Sequence, residues 1–505
     1  MQTAGLENHE AACEALATGQ SSLVWRRLIA DSETPVGAAA KLMVEGRGDF
    51  LLESVQGGEV RGRYSMLGLD PDLVFRATGA RAEVNASWSH DREAFVTLPG
   101  SSVDELRAQV AACRIDMPAG LPPALAFLVG YFAYETYGLI EDLPRPSANP
   151  LGLPDMLFVR PTLVLVFDRL SDELFCIAPL WPDGGKPDQA IEQAAERIDL
   201  ALRRLTKPAQ PAIADVTLPE PQLTATMAST DFAAMVHRAK EYIEAGDIFQ
   251  VVLAQRFTCP FTLPPLALYR ALRRVNPSPF LYFLDLPGFA LTGSSPEILV
   301  RVRDGEVTIR PIAGTRPRGA SPEEDRVNEA SLLADPKERA EHLMLLDLGR
   351  NDVGRVARAG TVEVTESYTV ERYSHVMHIV SNVVGRLDTA QHDAIDAVFA
   401  GFPAGTVSGA PKVRACQIIA ELEPETRGAY AGGVGYFAPD GSLDSCIVLR
   451  TGVVKDGMLH VQAGAGIVAD SVAEYEQREC EAKAGALIAA AREAVRVASE
   501  AGFGQ

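Results

Sequence analysis

Several protein classes are excluded by what this sequence lacks. Its seven cysteines, at 13, 113, 176, 259, 416, 446 and 480, are scattered, odd in number and contain no Cys-x-x-Cys pair. A disulfide framework or a cysteine-based zinc site is therefore not the organising element, and reduced thiols in the cytoplasm are expected. Positive charge is also scarce: 47 Lys and Arg face 67 Asp and Glu, a formal net charge of −20. Nucleic acid demands the opposite balance. A small anionic substrate stays compatible, because a bound cation and a few arginines invert the field locally. The most apolar stretch, around 124–134, is too short to cross a bilayer. Glu7, Glu10 and Glu14 stand where a secretory leader would be basic and then apolar. No internal repeat or low-complexity tract stands out. The expectation is a soluble cytoplasmic protein without nucleic-acid or membrane partners.

What is present is globular in composition, with 47% hydrophobic and 23% charged residues over 505 positions. That length exceeds one ordinary core, so two domains or one large interleaved body are expected. Pro208, Pro211, Pro219 and Pro221 cluster in an aperiodic segment between 207 and 224, which reads as a linker. It divides a β-rich N-terminal domain, 1–220, from a second domain, 221–505. Strand-like runs fall at 22–30, 50–54, 61–65, 73–76, 94–98, 124–134, 156–167 and 174–178, with helices at 102–113 and 188–206. In the second half, helices are expected at 229–245, 266–275, 321–333, 335–348, 409–422 and 473–499. Between them lie strands at 280–286, 289–292, 298–303, 306–311, 433–438, 445–453 and 458–462, and a long extended run at 368–387. Runs of strands mix with helices without strict alternation, so the fold class is α+β with largely antiparallel sheets.

The stretch Asp335 to Asp352 carries the first chemical signal. Asp335 suits an N-cap, Pro336 the first helical position, and Glu338 a capping box. Glu338 and Glu341 then share a helix face, as do Glu476 and Glu479 ahead of Lys483. Such pairs form either solvated faces or an oxygen-rich cleft for a hard divalent cation. Three small-residue strings read as turns or loops: Pro311–Arg318 (PIAGTRPR), Phe402–Lys412 (FPAGTVSGAPK) and Gln462–Ser471 (QAGAGIVADS). The second leads into a helix whose N-terminus could receive an anion.

These strings, with AEHLMLLDLGRND at 340–352, Tyr430-x-Gly-Gly-Val-Gly-Tyr436 and Ile447–Thr451, resemble the chorismate-utilising enzymes. Within that family they are most similar to the anthranilate-forming branch, the component I subunits of anthranilate synthases. The match is dense over about 225–490 and reaches the first half through LLES at 51–54, GRYS at 62–65 and GYFAYE at 130–135. The resemblance implies a sandwich-like core with surrounding helices, chorismate as substrate and Mg²⁺ as cofactor. It implies Glu341 and Glu479 as metal-facing residues, with Glu476 and Glu338 lining the same site. His378, in Tyr373-Ser-His-Val-Met-His378, takes the position of the general acid, with His375 as the alternative in the same motif. Tyr430 and Arg450 match the residues that hold the pyruvyl carboxylate, and Thr406 a substrate contact. The amides of Gly464 and Gly466 would face the ring carboxylate. Gly314 and Thr315 belong to the same substrate-binding set, as does Lys483, which also suits simple support of its helix.

Within the family, Gln250 stands where water-activating members carry lysine, so ammonia is the expected nucleophile. Ala313 stands where aminodeoxychorismate synthases carry an attacking lysine. Ala482 and Cys480 depart from the usual Asn and Thr without touching a ligand position. Two strings resemble a tryptophan feedback site: Leu52, Glu53 and Ser54 in the first half, and Asn276, Pro277, Ser278, Pro279 and Phe280 in the second. No cysteine sits in a Gly-rich elbow, so ammonia is expected from a separate glutamine amidotransferase subunit, in a heterodimer or a dimer of heterodimers. The competing readings are an aminodeoxychorismate or aminodeoxyisochorismate synthase and a catalytically silent tryptophan-binding relative.

Overall fold

The strand Met156–Asp168 is apolar almost throughout, and all but Arg160 and Thr162 are buried. Such a run fits a strand covered on both faces. The computed structural model places it at the centre of the sheet. It describes the chain except residues 1–4, 57–59, 124, 147, 183, 209–218, 374–375 and 500–505, and only the main chain of 55, 56, 60 and 61.

One edge of this strand pairs with Val60–Thr78; the other pairs with Leu128–Phe132 and then Glu173–Leu180. Two arms of sheet lead away. The first passes through Phe50–Gln56, Phe280–Leu286, Phe289–Ser295, Thr451–Lys455 and Met458–Ile467 to Gln250–Pro260. The second passes from Leu128–Phe132 through Gly433–Phe437, Leu443–Ile447, Ile298–Arg303 and Glu306–Ile309 to Val376–Arg386. All of these pairings are antiparallel. The arms stack: Tyr131 meets Phe289 edge-on at 5.8 Å, and the Ser295 hydroxyl donates to the Ile447 carbonyl at 2.6 Å. Helices cover the outside, among them Pro265–Val275 against Ala473–Ser499. The α+β, antiparallel, sandwich-like expectation holds.

Both sequence halves contribute strands to each arm, for Phe50–Gln56 pairs with Phe280–Leu286 and Leu128–Phe132 with Gly433–Phe437. The proline-rich segment falls between the helix Pro187–Leu205 and the short strand Thr224–Ala225, and much of it lies outside the described residues.

Several elements differ from the sequence reading. The runs 61–65 and 73–76 are one strand, Val60–Thr78, whose pairing continues past a bulge at Pro71/Leu73. The long run 368–387 is a hairpin, Glu363–Arg372 with Val376–Arg386, closed by the Tyr373 amide donating to the Val376 carbonyl. The expected strand 445–453 breaks where Arg450 turns left-handed at φ 49°. The helix expected from 409 starts at Lys412, because Gly409 and Ala410 pair with Gln250–Val251 as a two-residue strand. Two supposed turns are strands: Ile312–Pro317, and Met458–Ile467 through Ile467.

Candidate active site

A cavity of about 490 Å³ opens where the first arm's last strands meet the helices of the second half. Gln250 and Val252 come from one strand, and Gln462, Ala463, Gly464 and Gly466 from its neighbour. The helix Ala473–Ser499 supplies Glu476, Glu479 and Lys483, and Pro336–Gly354 supplies Lys337 and Glu341. Thr406, Tyr430, Arg450, Pro296 and Glu297 also line it. The structure thus brings Glu341, Glu476, Glu479, Lys483, Thr406, Tyr430, Arg450, Gly464 and Gly466, all singled out in the sequence, around one space.

The glycines belong there for a steric reason. A Cβ on Gly464 would lie 2.7 Å from the Tyr430 hydroxyl and 2.9 Å from the Leu253 carbonyl; on Gly466 it would lie 2.4 Å from Gln250 Nε2. Their strand pairs with Gln250–Pro260 along one edge, whereas Thr451–Lys455 covers the other only up to Val461. Beyond that residue the second edge has no strand partner among the described residues. Lys483 donates to the Gly464 carbonyl at 2.9 Å and pairs with Glu479 at 2.7 Å, so it steadies both helix and strand.

At one side of the cavity acidic groups crowd. Burial and the charge of Glu338 push the Glu341 carboxyl up, with Glu479 adding to the rise and Gln250 and Lys483 opposing it. Burial and Glu479 likewise raise Glu476. Among the described residues no three His, Cys, Asp or Glu side chains converge closely enough to enclose a metal unaided. Mg²⁺ keeps several waters and is commonly held by one or two carboxylates plus substrate oxygens, so this open donor set fits it.

At another side lies Arg450. Its guanidinium has no hydrogen-bond or ion-pair partner among the described residues, and burial lowers its proton affinity, with Tyr373 and Glu297 opposing. An unpaired, shielded guanidinium calls for an anion. Beside it stands a residue that the sequence reading missed. Glu297 is 7% exposed, and burial pushes its carboxyl up to about 8 despite the neighbouring Thr406 hydroxyl, Ile312 amide and Arg450. That shift favours the protonated form at neutral pH. A lone glutamate after Ser-Ser-Pro offers no spacing signal; only its burial singles it out.

Four predicted residues are not among those that line this cavity: Glu338, Gly314, Thr315 and His378. Gly314 sits in a bulge of Ile312–Pro317 at φ +77°, a left-handed conformation that favours glycine. Its carbonyl lies 3.0 Å from His378 Nδ1, and Thr315 Oγ1 lies 3.1 Å away. A carbonyl only accepts, so Nδ1 carries the proton and Nε2 the lone pair. Burial pushes the His378 ring down to about 4, which leaves it neutral at pH 7. Glu338 does not close a capping box. Asp335 caps the Lys337 and Glu338 amides, while the Glu338 carboxylate pairs with Arg316 at 2.9 Å. His375 lies outside the described residues.

A second and larger cavity, about 700 Å³, lies between the stacked arms. Leu52, Glu53, Ser54, Pro279 and Phe280 line it, from strands that pair directly, Ser54 opposite Phe280. Asn276, Pro277 and Ser278 do not line it; Asn276 caps the helix Pro265–Val275 and accepts from the Ser294 hydroxyl. Glu53 is held from behind, by Arg273 at 2.9 and 3.0 Å, Tyr269 at 2.7 Å and Arg169 at 2.8 Å. Pro296 lines both cavities.

Comparison with known proteins identifies the family. The family model described as chorismate binding enzyme matches residues 50–489. Anthranilate synthase component 1 of Cereibacter sphaeroides is 53% identical over 96% of this chain and 97% of its own. The protein of that name from Thermus thermophilus is 46% identical over 92% and 96%. The crystal structure of anthranilate synthase component I from Streptococcus pneumoniae superimposes with a TM-score of 0.76 at 35% identity, covering 85% of this chain and 92% of that one. The menaquinone-specific isochorismate synthase of Escherichia coli, at 20% identity and a TM-score of 0.71, shares the fold. The chain belongs to the chorismate binding enzymes and is an enzyme acting on chorismate, with curated relatives of the anthranilate synthase component 1 type along nearly its whole length. Among the described residues no helix is long and apolar enough to cross a membrane.

Proposed function

We propose that the chain is the chorismate-converting subunit of an anthranilate synthase, the first step of tryptophan biosynthesis. It adds ammonia to the chorismate ring, displaces the ring hydroxyl and then eliminates pyruvate. The observation that carries this reading is the unpaired Arg450 guanidinium in the same cavity as the crowded Glu341, Glu476 and Glu479. Arg450, with the Tyr430 hydroxyl, suits the pyruvyl carboxylate. Glu341, Glu476 and Glu479 would hold Mg²⁺, which when bound neutralises the ring carboxylate that these acids would otherwise repel.

Hydroxide leaves poorly unless protonated. Glu297 holds a proton at neutral pH and so supplies it to the departing oxygen, which leaves as water. That role differs from the acid role expected for His378. With its proton affinity depressed and its lone pair on Nε2, His378 suits proton acceptance when the ring aromatises and the carbon–oxygen bond to pyruvate breaks. Gln250 cannot activate water as a base, and it forms the wall against Gly466. Ala313 is buried and carries no nucleophile, which supports anthranilate rather than aminodeoxychorismate formation.

The remaining parts of the reading are a glutamine amidotransferase partner supplying ammonia, cytoplasmic residence, in keeping with seven free thiols, and feedback by tryptophan in the larger cavity. That cavity joins apolar walls to Arg63, Arg301, Arg303 and Arg310, as an aromatic amino acid would require. The test mixes the protein with chorismate, ammonium and Mg²⁺ and follows anthranilate fluorescence. Signal that vanishes with a chelator supports the reading; turnover indifferent to chelation contradicts the metal assignment.

A further inference from the structure

Tyr373 belongs to both cavities' surroundings. It lines the larger one, and its ring meets the His378 ring edge-on, with centroids 5.5 Å apart and planes at 63°. The side chain is 7% exposed and tied at both ends. Its hydroxyl donates to Glu371 Oε2 at 2.8 Å, and its carbonyl accepts from Arg318 at 2.7 Å. Arg318 is itself clamped on Asp325. Glu371 sits directly across the hairpin from His378, and its other oxygen accepts from Arg310 at 2.6 Å.

Arg310, Glu371 and Tyr373 all line the larger cavity, so this chain of contacts starts at that cavity's surface and ends on the catalytic ring. His378 has its Nδ1 fixed by Gly314, but its ring plane needs a second support, since rotation about the bond to the ring would swing Nε2. Tyr373 is the aromatic ring in contact with it. A carboxylate entering the larger cavity competes with Glu371 for Arg310, because guanidinium pairs with carboxylates in a fork geometry. Glu371 then loses its anchor and with it the fixed acceptor for the tyrosine hydroxyl.

We propose that Tyr373 is the positioning residue for His378, and that a carboxylate ligand in the larger cavity acts on the catalytic ring through Arg310, Glu371 and Tyr373. The second half rests on the tryptophan reading given above. Two sites and one shared element are what a coupling free energy between them requires.

The test is steady-state anthranilate formation by Y373F, with tryptophan titrated in. Loss of the hydroxyl alone is expected to leave KM for chorismate within about twofold and lower kcat about tenfold, as a transition-state alignment effect does. The tryptophan concentration for half-inhibition is expected to rise about tenfold or more, within the usual range of coupling between sites. E371Q, which breaks the chain at its middle, is expected to show both effects. Wild-type kcat and wild-type inhibition in either variant overturn the proposal. If the unaltered protein forms anthranilate but ignores tryptophan, the regulatory half falls, and kcat against KM in Y373F decides the positioning half alone.

Discussion

Ser54 and Phe280 are cross-strand partners, so strands from 1–220 and from 221–505 pair directly. The pairing carries the first half's Phe50–Gln56 into the sheet that ends at the smaller cavity. A ligand held between Leu52 and Phe280 therefore touches a wall that both halves build.

Glu53 is the lock on that wall. Its carboxylate is buried against Arg273, Tyr269 and Arg169, so Glu53→Ala leaves buried donors without an acceptor. Breaking one partner of a buried network costs roughly 3–5 kcal/mol. Urea unfolding is expected to show that loss and tryptophan inhibition to weaken with it; a stability within about 1 kcal/mol of the parent would contradict this role.

Glu297 as proton donor makes a pH prediction. An acid acts only while protonated, so at a fixed concentration of free ammonia the rate is expected to fall as pH rises through about 8. E297Q is expected to lose about a hundredfold or more in kcat and to lack that alkaline limb. The same raised carboxyl makes the native state hold a proton that the unfolded chain has released. Its contribution to stability therefore declines as pH rises from the ordinary glutamate range toward about 8. A pH–rate profile in E297Q with the limb intact would assign it elsewhere.

Arg450→Lys keeps charge but loses the fork. A charge-assisted hydrogen bond is worth about 1.5–3 kcal/mol, so KM for chorismate is expected to rise roughly ten- to hundredfold. The measurement is a substrate titration; an unchanged KM would remove Arg450 from the carboxylate site.

Gly464→Ala places a methyl group 2.7 Å from the Tyr430 hydroxyl and 2.9 Å from the Leu253 carbonyl. Since the carbonyl belongs to a strand that cannot yield easily, about 1–3 kcal/mol of overpacking is expected, visible in thermal unfolding. Chorismate binding is expected to weaken because Tyr430 must move; normal binding and melting together would show that the strand relaxes freely.

Much of this was legible in the chain. The helices bearing Glu341 and Glu479 follow from caps and helical spacing, and the alternation around His378 is seen in buried Met377 and Ile379 on one face with half-buried Val376 and His378 on the other. What misled was glycine. The strings around Gly314 and Gly464 read as turns, yet both are strands. Glycine serves a left-handed bulge at the first and close approach of a tyrosine at the second. Glu297 was invisible because its raised carboxyl comes from burial in the folded chain, beside groups distant in sequence such as Thr406, Ile312 and Arg450. The Arg450 turn, at φ 49°, likewise leaves no composition signal.

The most direct measurement is the product stoichiometry of chorismate turnover with ammonium and Mg²⁺, read by chromatography. The account predicts one anthranilate and one pyruvate for each chorismate consumed. Chorismate converted to an aminated ring that still carries its pyruvyl group, without pyruvate release, would contradict it.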